Sequence, residues 1–400
     1  AFIMTAESNT FCILPWIHFY ANPDGNVLPC CIGDWRQPLG NTRKNTIKEI
    51  WNSEEYKKLR LALLNSEKPS ACTQCWKHEE AGIESNRIAQ NNRFKKHISI
   101  KDETNFDGSL DIMKLLYFDV RWSNICNFKC RTCSSTYSST WAVEDNKQGE
   151  KKPVYIFAGG DNNDNLFEQF KPYLKGIQDY YFAGGEPLIT DKHYDILDYL
   201  IENKKTDAVL QYNSNLSNLF FKKKSITEYW NNFKHVEVRA SIDGYGNRGE
   251  YIREGTDWPT IEQNLKIIKE ESPHVIISFN CVVSAFNVLT LVDFLEYMSS
   301  KGFDVNNSTL YNIVEPNHYS FNALTDEQRH TAIDKLQAYA NTVTHTEHLR
   351  YVNGVIDYLH KSTFDQSAND LFKSKNMYFD KIRNRSFNET FPELIDVLTD

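Results

Sequence analysis

The chain has 400 residues, 40% hydrophobic and 24% charged, with a mean hydropathy of −0.55, enough to bury a large core. No apolar run approaches the ~18 residues of a membrane-spanning helix, and a formal net charge of −8 disfavours a broad nucleic-acid footprint, which is basic. Nine cysteines, an odd number gathered in short motifs, argue for metal ligation in a reducing cytoplasm rather than for disulfides.

The start, Ala1-Phe-Ile-Met4, lacks a basic segment followed by an apolar one, so no secretory signal is expected. A first section, 1–110, is rich in Cys, Trp, Asn and Pro. It carries Phe11-Cys12-Ile-Leu-Pro15-Trp16, then Asp24-Gly25-Asn-Val-Leu-Pro29-Cys30-Cys31, then Cys72-Thr-Gln-Cys75-Trp76. The CxxC pair Cys72 and Cys75 is of a kind that commonly binds zinc. Between them, Asn52-Ser53 can cap a predicted helix whose Tyr56, Leu59 and Leu63 share one face. The polar stretch 87–107 reads as a linker.

A middle section, 111–316, alternates short apolar strands with helical patterns. Strands are predicted at 115–122, 177–183, 209–215, 235–243, 275–283 and 308–314, and helices at 191–202, 258–271 and 289–301. This alternation implies a parallel sheet. Glu237, Arg239, Ser241 and Asp243 share one strand face, and Gln211, Asn213 and Asn215 share another. Parallel strands buried on both faces normally read as apolar runs, so a polar row implies a lumen holding something polar. Six strands fit an α/β fold of the partial (β/α)6 barrel type, with ligands at the C-terminal strand ends. A last section, 317–400, reads as helical. Thr325 caps one helix, a second spans 349–360, and a final one lies at 391–398. The basic runs Lys222-Lys223-Lys224 and Arg93 to Lys96 read as solvated helix faces.

The chemistry concentrates after the first predicted strand, in Cys126-Asn-Phe-Lys-Cys130-Arg-Thr-Cys133. Three thiolates at CxxxCxxC spacing can ligate three irons of a 4Fe–4S cluster and leave the fourth open to a small chelating molecule. By chance such a triplet arises about 0.005 times in a chain with this cysteine content. Gly184-Gly185-Glu186-Pro187 ends the second predicted strand, where bare glycine backbone can approach a ligand closely. Asn213, Ser241, Asp243 and Arg253 follow at or just after later strands. Cys281 alternates with Phe279 and Val283, the pattern of a packed thiol. His78-Glu79-Glu80 lacks the second His of a zinc-protease motif, and neither GxSxG nor a Walker loop is present.

CxxxCxxC, GGEP, the Asn213 strand and the Ser241-Ile-Asp243-Gly244…Arg253 pattern together resemble the radical S-adenosylmethionine (SAM) superfamily. The resemblance implies a SAM-binding 4Fe–4S cluster on Cys126, Cys130 and Cys133. It places Gly184, Gly185, Glu186 and Pro187 along SAM, Ser241 and Arg253 on its carboxylate, and Asn213 or Asp243 at its ribose. Thr132 stands where that family often has an aromatic residue. The first section resembles SPASM/twitch accessory domains, which implies one auxiliary 4Fe–4S cluster on Cys12, Cys30, Cys72 and Cys75. In most relatives that domain follows the core, and here it precedes it. The implied activity is reductive cleavage of SAM to a 5′-deoxyadenosyl radical and hydrogen abstraction from a substrate C–H bond, with peptide oxidation or crosslinking as the first reading. The alternatives are oxidation of a small polar metabolite, such as a sugar or nucleotide derivative, and a zinc-stabilised binding protein. The implied electron donor is a flavodoxin or ferredoxin.

Overall fold

The computed structural model describes residues 9–80 and 84–397; the readings of Ala1 to Met4 and of the last helix's end at Leu398 lie outside the described residues. The chain divides into two compact units. The first comprises 1–126, 135–211 and 232–235, and the second 127–134, 212–231 and 236–400.

In the first unit, β1 (His18–Ala21), β2 (Asn26–Leu28), β3 (Gly40–Asn41), β4 (Tyr117–Val120) and β5 (Asp179–Phe182) pair in the order β3-β2-β1-β4-β5. β1, β4 and β5 run parallel, and β2 and β3 are added antiparallel as a meander. Tyr20, Asp119 and Tyr181 lie side by side across β1, β4 and β5. Next comes β6 (Val209–Ser214), which starts beside β5 with the Val209 N–H donating to the Gln178 carbonyl at 2.8 Å. The last half of β6 belongs to the second unit, with β7 (His235–Ser241), β8 (Ile276–Val283) and β9 (Thr309–Asn312) in the order β6-β7-β8-β9. β7, β8 and β9 run parallel. All six predicted strands are present, each trimmed by one to four residues. Among the described residues no barrel closes, and β9 pairs only with β8.

Polarity alternates as expected along β7. Val236, Val238 and Ala240 are buried, while Glu237, Arg239 and Ser241 are half-buried. Helices Asp191–Glu202 and Trp258–Glu271 start and stop where their apolar periodicity does, the second capped by Asp257. Ser53 caps Glu54–Leu64, which buries Tyr56, Leu59 and Leu63. Thr325 and Gln328 close a capping box on Asp326–Ala340.

Three expectations are corrected. Residues 87–107 are not a linker: Ser85 caps the helix Asn86–Arg93, and a 3-10 helix follows at Lys95–Glu103. Their polar side chains bond inward. Arg93 pairs with Asp179 at 2.6 Å, and Asn91 donates to the Phe11 carbonyl at 2.8 Å, so composition concealed an ordered element. Within the section read as helical, the longest helix among the described residues, Gln366–Arg383, was not picked out individually, because buried Asn369 and Asn376 interrupt its apolar stripe of Ala368, Phe372 and Phe379. Lys222 to Lys224 do not lie on a helix; they form the tip and return of a small hairpin, Phe220–Phe221 against Lys224–Ser225. Among the described residues no helix is long and apolar enough to cross a membrane.

Candidate functional site

β4 feeds directly into the segment that carries Cys126, and that segment is tied down by its own polar groups. Asn124 is fully buried. Its amide donates to the Ser135 and Val154 carbonyls, both at 3.0 Å, and its oxygen accepts from the Ile156 N–H at 2.8 Å. The Ser139 hydroxyl accepts from the Cys126 N–H and donates to the Cys126 carbonyl, both at 3.2 Å. The glycine pair after β5 lies flat against this segment. Gly185 N–H donates to the Ser123 carbonyl at 3.1 Å, and Glu186 N–H donates to the Ile125 carbonyl at 2.7 Å. Gly184 has φ +104, and a Cβ on Gly185 would stand 2.2 Å from the Ile125 oxygen. Only glycine fits there. Glu186 is buried and its carboxylate caps the Leu188 N–H at 3.1 Å.

The second unit carries Cys130 and Cys133. Lys129–Cys130 pairs antiparallel with Arg253–Glu254, Arg253 facing Cys130. Arg253 forms an ion pair with buried Asp243 through Nε at 2.8 Å and a hydrogen bond through one terminal nitrogen at 3.0 Å. Its remaining nitrogen stands 3.8 Å from the Cys130 sulfur. Burial alone would depress the Arg253 charge, but the Asp243 carboxylate more than offsets it and holds the guanidinium above its ordinary pKa. Burial raises the Cys130 thiol, with Arg253 opposing, and pushes Cys133 up to about 12. Asn213 accepts from Asn280 at 2.9 Å, and Asn280 accepts from the Thr309 hydroxyl. Ser241 stands beside Asn280 in the β7–β8 register. Phe128 is buried under Gly255, where a Cβ would meet its ring at 2.7 Å. Its ring therefore packs the Cys loop against the Arg253–Glu254 ribbon. Cys281 is buried on the opposite face of its strand from Asn280.

In the first section, Cys12, Cys30, Cys72 and Cys75 line one cavity with Leu14, Leu63 and Trp76. Cys72 ends a 3-10 turn and Cys75 lies in the first turn of the following helix, Thr73–Glu80. Burial and the neighbouring thiols raise Cys12 and Cys30 above the usual thiol range, and burial and then Cys75 push Cys72 up to about 12. Among the described residues no three His, Cys, Asp or Glu groups stand close enough to hold a single metal ion. A tetrahedral zinc would draw its sulfurs to roughly 3.8 Å of one another. Arg87 joins this cavity, bonded to Glu79 at 2.8 and 2.7 Å and to the Phe11 carbonyl at 2.8 Å. Cys31 is exposed and outside the cavity lining.

Residues 12–76 match the family model of SPASM, an iron–sulfur cluster-binding domain. The matched segment contains all four thiols of that cavity, and CxxxCxxC and GGEP follow it. The match shows a SPASM segment at residues 12–76 and does not extend to CxxxCxxC or GGEP. No curated protein matches it. Among solved structures, native anSMEcpe with bound AdoMet is 17% identical with a TM-score of 0.40, the alignment covering 68% of this chain and 67% of that one. SuiB from Streptococcus suis, bound to S-adenosylmethionine, is 15% identical at a TM-score of 0.39, covering 82% and 68%.

Two groups escaped the sequence reading. Asn124 and Ser139 anchor the Cys126 segment, and neither carries a motif. Buried Asp119 pairs with half-buried Arg121 at 2.8 Å, with Arg121 also lying over the rings of Tyr20 and Tyr181 at 5.5 and 5.3 Å. The alternation of Tyr117, Asp119 and Arg121 was the available signal, the same one that marked Glu237, Arg239 and Ser241.

Proposed function

We propose that this protein is a radical SAM enzyme that oxidises or crosslinks a peptide. The observation that carries the reading is the Cys126 segment zipped along the bare Gly184-Gly185-Glu186 backbone, a cradle that a single methyl group on Gly185 would fill. The thiols of Cys126, Cys130 and Cys133 suit three irons of a 4Fe–4S cluster. A cluster held by these thiols, with SAM bound, would supply the electron for reductive cleavage of SAM and so the chemistry of hydrogen abstraction from a substrate C–H bond.

The chain's own groups do the rest. Arg253 holds a fixed positive charge beside Cys130, favouring the thiolate over the thiol, and Asp243 keeps that charge in place. Ser139 fixes the Cys126 peptide from both sides. Asn213, Ser241 and Asn280 offer hydrogen-bonding groups to a polar ligand, and Glu186 is committed to capping the turn. The thiols of the SPASM segment suit an auxiliary 4Fe–4S cluster with four protein ligands, which can accept an electron from an oxidised substrate. The peptide reading rests on the resemblance of that segment to domains found with peptide-modifying relatives.

Anaerobically reconstituted protein reduced with dithionite should release 5′-deoxyadenosine from SAM, measured by chromatography. Cys126→Ala should abolish the release. Undiminished product in that variant would sink the assignment.

A further inference from the structure

Arg131 stands between Cys130 and Cys133 in sequence, and its side chain is wholly buried. Its backbone is pinned. The Arg131 N–H donates to the Ile252 carbonyl at 2.8 Å, and the Cys133 N–H closes a turn on the Cys130 carbonyl at 3.0 Å. The guanidinium lies over the rings of Tyr251 and Phe379, 4.4 and 4.6 Å from their centroids. None of its three nitrogens has a hydrogen-bond partner among the described residues. A cation so placed is costly, because two aromatic faces return only part of the hydration it gives up.

Its carboxylate neighbour restores little of the balance. Asp380 stands 3.9 Å away, beyond hydrogen-bond reach. Both Asp380 oxygens are engaged elsewhere, Oδ1 by the Tyr251 hydroxyl and Oδ2 by the Phe387 N–H, each at 2.7 Å. Arg383 brings a second positive charge to the segment, over the Phe379 ring at 4.4 Å and on the Lys129 carbonyl at 3.2 Å. Arg253 differs, since Asp243 meets it through two nitrogens. Arg131 is therefore a buried cation, inside the ligand loop, that protein groups leave poorly matched. A 4Fe–4S cluster on three thiolates is an anion, and reduction gives it one further negative charge. Such a cluster supplies what Arg131 lacks.

We propose that Arg131 raises the reduction potential of the cluster on the CxxxCxxC loop, an inference that rests on the radical SAM reading above. Its fixed charge favours the reduced state from which SAM is cleaved. In that reduction one electron passes from a one-electron donor, which is oxidised by one equivalent, to the cluster. No bond forms or breaks, and no proton moves at Arg131. Two unit charges about 10 Å apart in a protein interior alter an equilibrium roughly tenfold, and burial keeps salt from screening them.

A redox titration with dithionite and mediators, followed by electron paramagnetic resonance on anaerobically reconstituted protein, tests this. The signal that changes when SAM is added identifies the cluster with the open iron. Arg131→Gln should make its reduction at least about tenfold less favourable, a fall of about 59 mV for one electron, with iron per chain unchanged. Arg131→Lys keeps the charge and should restore most of the potential, which a role in packing alone would not do. A wild-type potential in Arg131→Gln overturns the proposal, as does an equal fall in both variants. If Arg131→Gln fails to hold its iron, Asp380→Asn decides. It removes the opposing charge, so a higher potential supports the proposal and an unchanged one overturns it. Wild-type protein with no SAM-responsive signal overturns the radical SAM reading and the proposal with it. A SAM-responsive cluster whose potential ignores residue 131 overturns the proposal alone.

Discussion

Gly185 shows how a single missing side chain can govern a ligand loop. A Cβ there would overlap the Ile125 oxygen at 2.2 Å, and both the Gly185 and Glu186 N–H groups donate to the same segment. Gly185→Ala must push the Cys126 segment away from β5. The variant should lose the iron of the CxxxCxxC loop and most 5′-deoxyadenosine formation, at least about tenfold, while the SPASM segment keeps its iron. Iron per chain and product yield check this together. His18 offers a pH test. It is buried, its ring stacks on Tyr117 at 4.5 Å, and its Nδ1 lies 3.2 Å from the Tyr117 carbonyl. Burial, reinforced by the Arg121 charge and opposed by the carbonyl, lowers its pKa to about 4. Between the unfolded value near 6.5 and that folded value, only the unfolded chain takes the proton. Stability is therefore complete above about pH 6.5 and is lost as pH falls toward 4, by about 3 kcal/mol in all. His18→Phe should remove about 2 kcal/mol of the stability difference between pH 7 and pH 5, read from urea unfolding midpoints.

At the scale of elements, the helix Gln366–Arg383 is held by polar groups that sit where a sequence pattern leads one to expect apolar ones. Buried Asn369 donates to the Ala323 carbonyl at 2.8 Å, and Asn376 accepts from the Tyr251 hydroxyl at 3.3 Å. Arg131, between Cys130 and Cys133 in sequence, lies over the rings of Tyr251 and Phe379 at 4.4 and 4.6 Å. Arg383 donates to the Lys129 carbonyl at 3.2 Å. This helix thus packs on the segment that carries Cys130 and Cys133, within the second unit. Asn369→Ala leaves the Ala323 carbonyl without its donor and should cost about 1–3 kcal/mol, seen as a lower Tm. A change within measurement error would mean that water replaces the amide.

At the scale of the whole molecule, the SPASM segment collects Cys12, Cys30, Cys72 and Cys75 from separate turns into one cavity while leaving Cys31 outside it. Cys30→Ala should therefore lose about half of the iron, the auxiliary share, and keep the SAM-linked cluster. Cys31→Ala should keep both. Iron per chain, with electron paramagnetic resonance to tell the clusters apart, distinguishes the variants, and the reverse pattern would reassign the ligand to Cys31.

Local chemistry determined much of this protein from sequence alone. Thiol spacing, glycine pairs, Ser and Thr caps, and period-two polarity are properties of a few neighbouring residues, so CxxxCxxC, GGEP, the helix 54–64 and the alternating face of β7 were all legible. What tertiary structure decided involves partners distant in sequence. The Asn124 staples, the bonds from Arg93 and Asn91, and the buried Asn369 and Asn376 all pair polar groups with backbone or side chains elsewhere in the chain. A polar residue that is satisfied inside a fold looks, in sequence, the same as one that is solvated outside it. Arg253 marks the boundary between the two. Its type and position were readable, but only the folded chain shows that Asp243 takes two of its nitrogens and leaves the third facing Cys130.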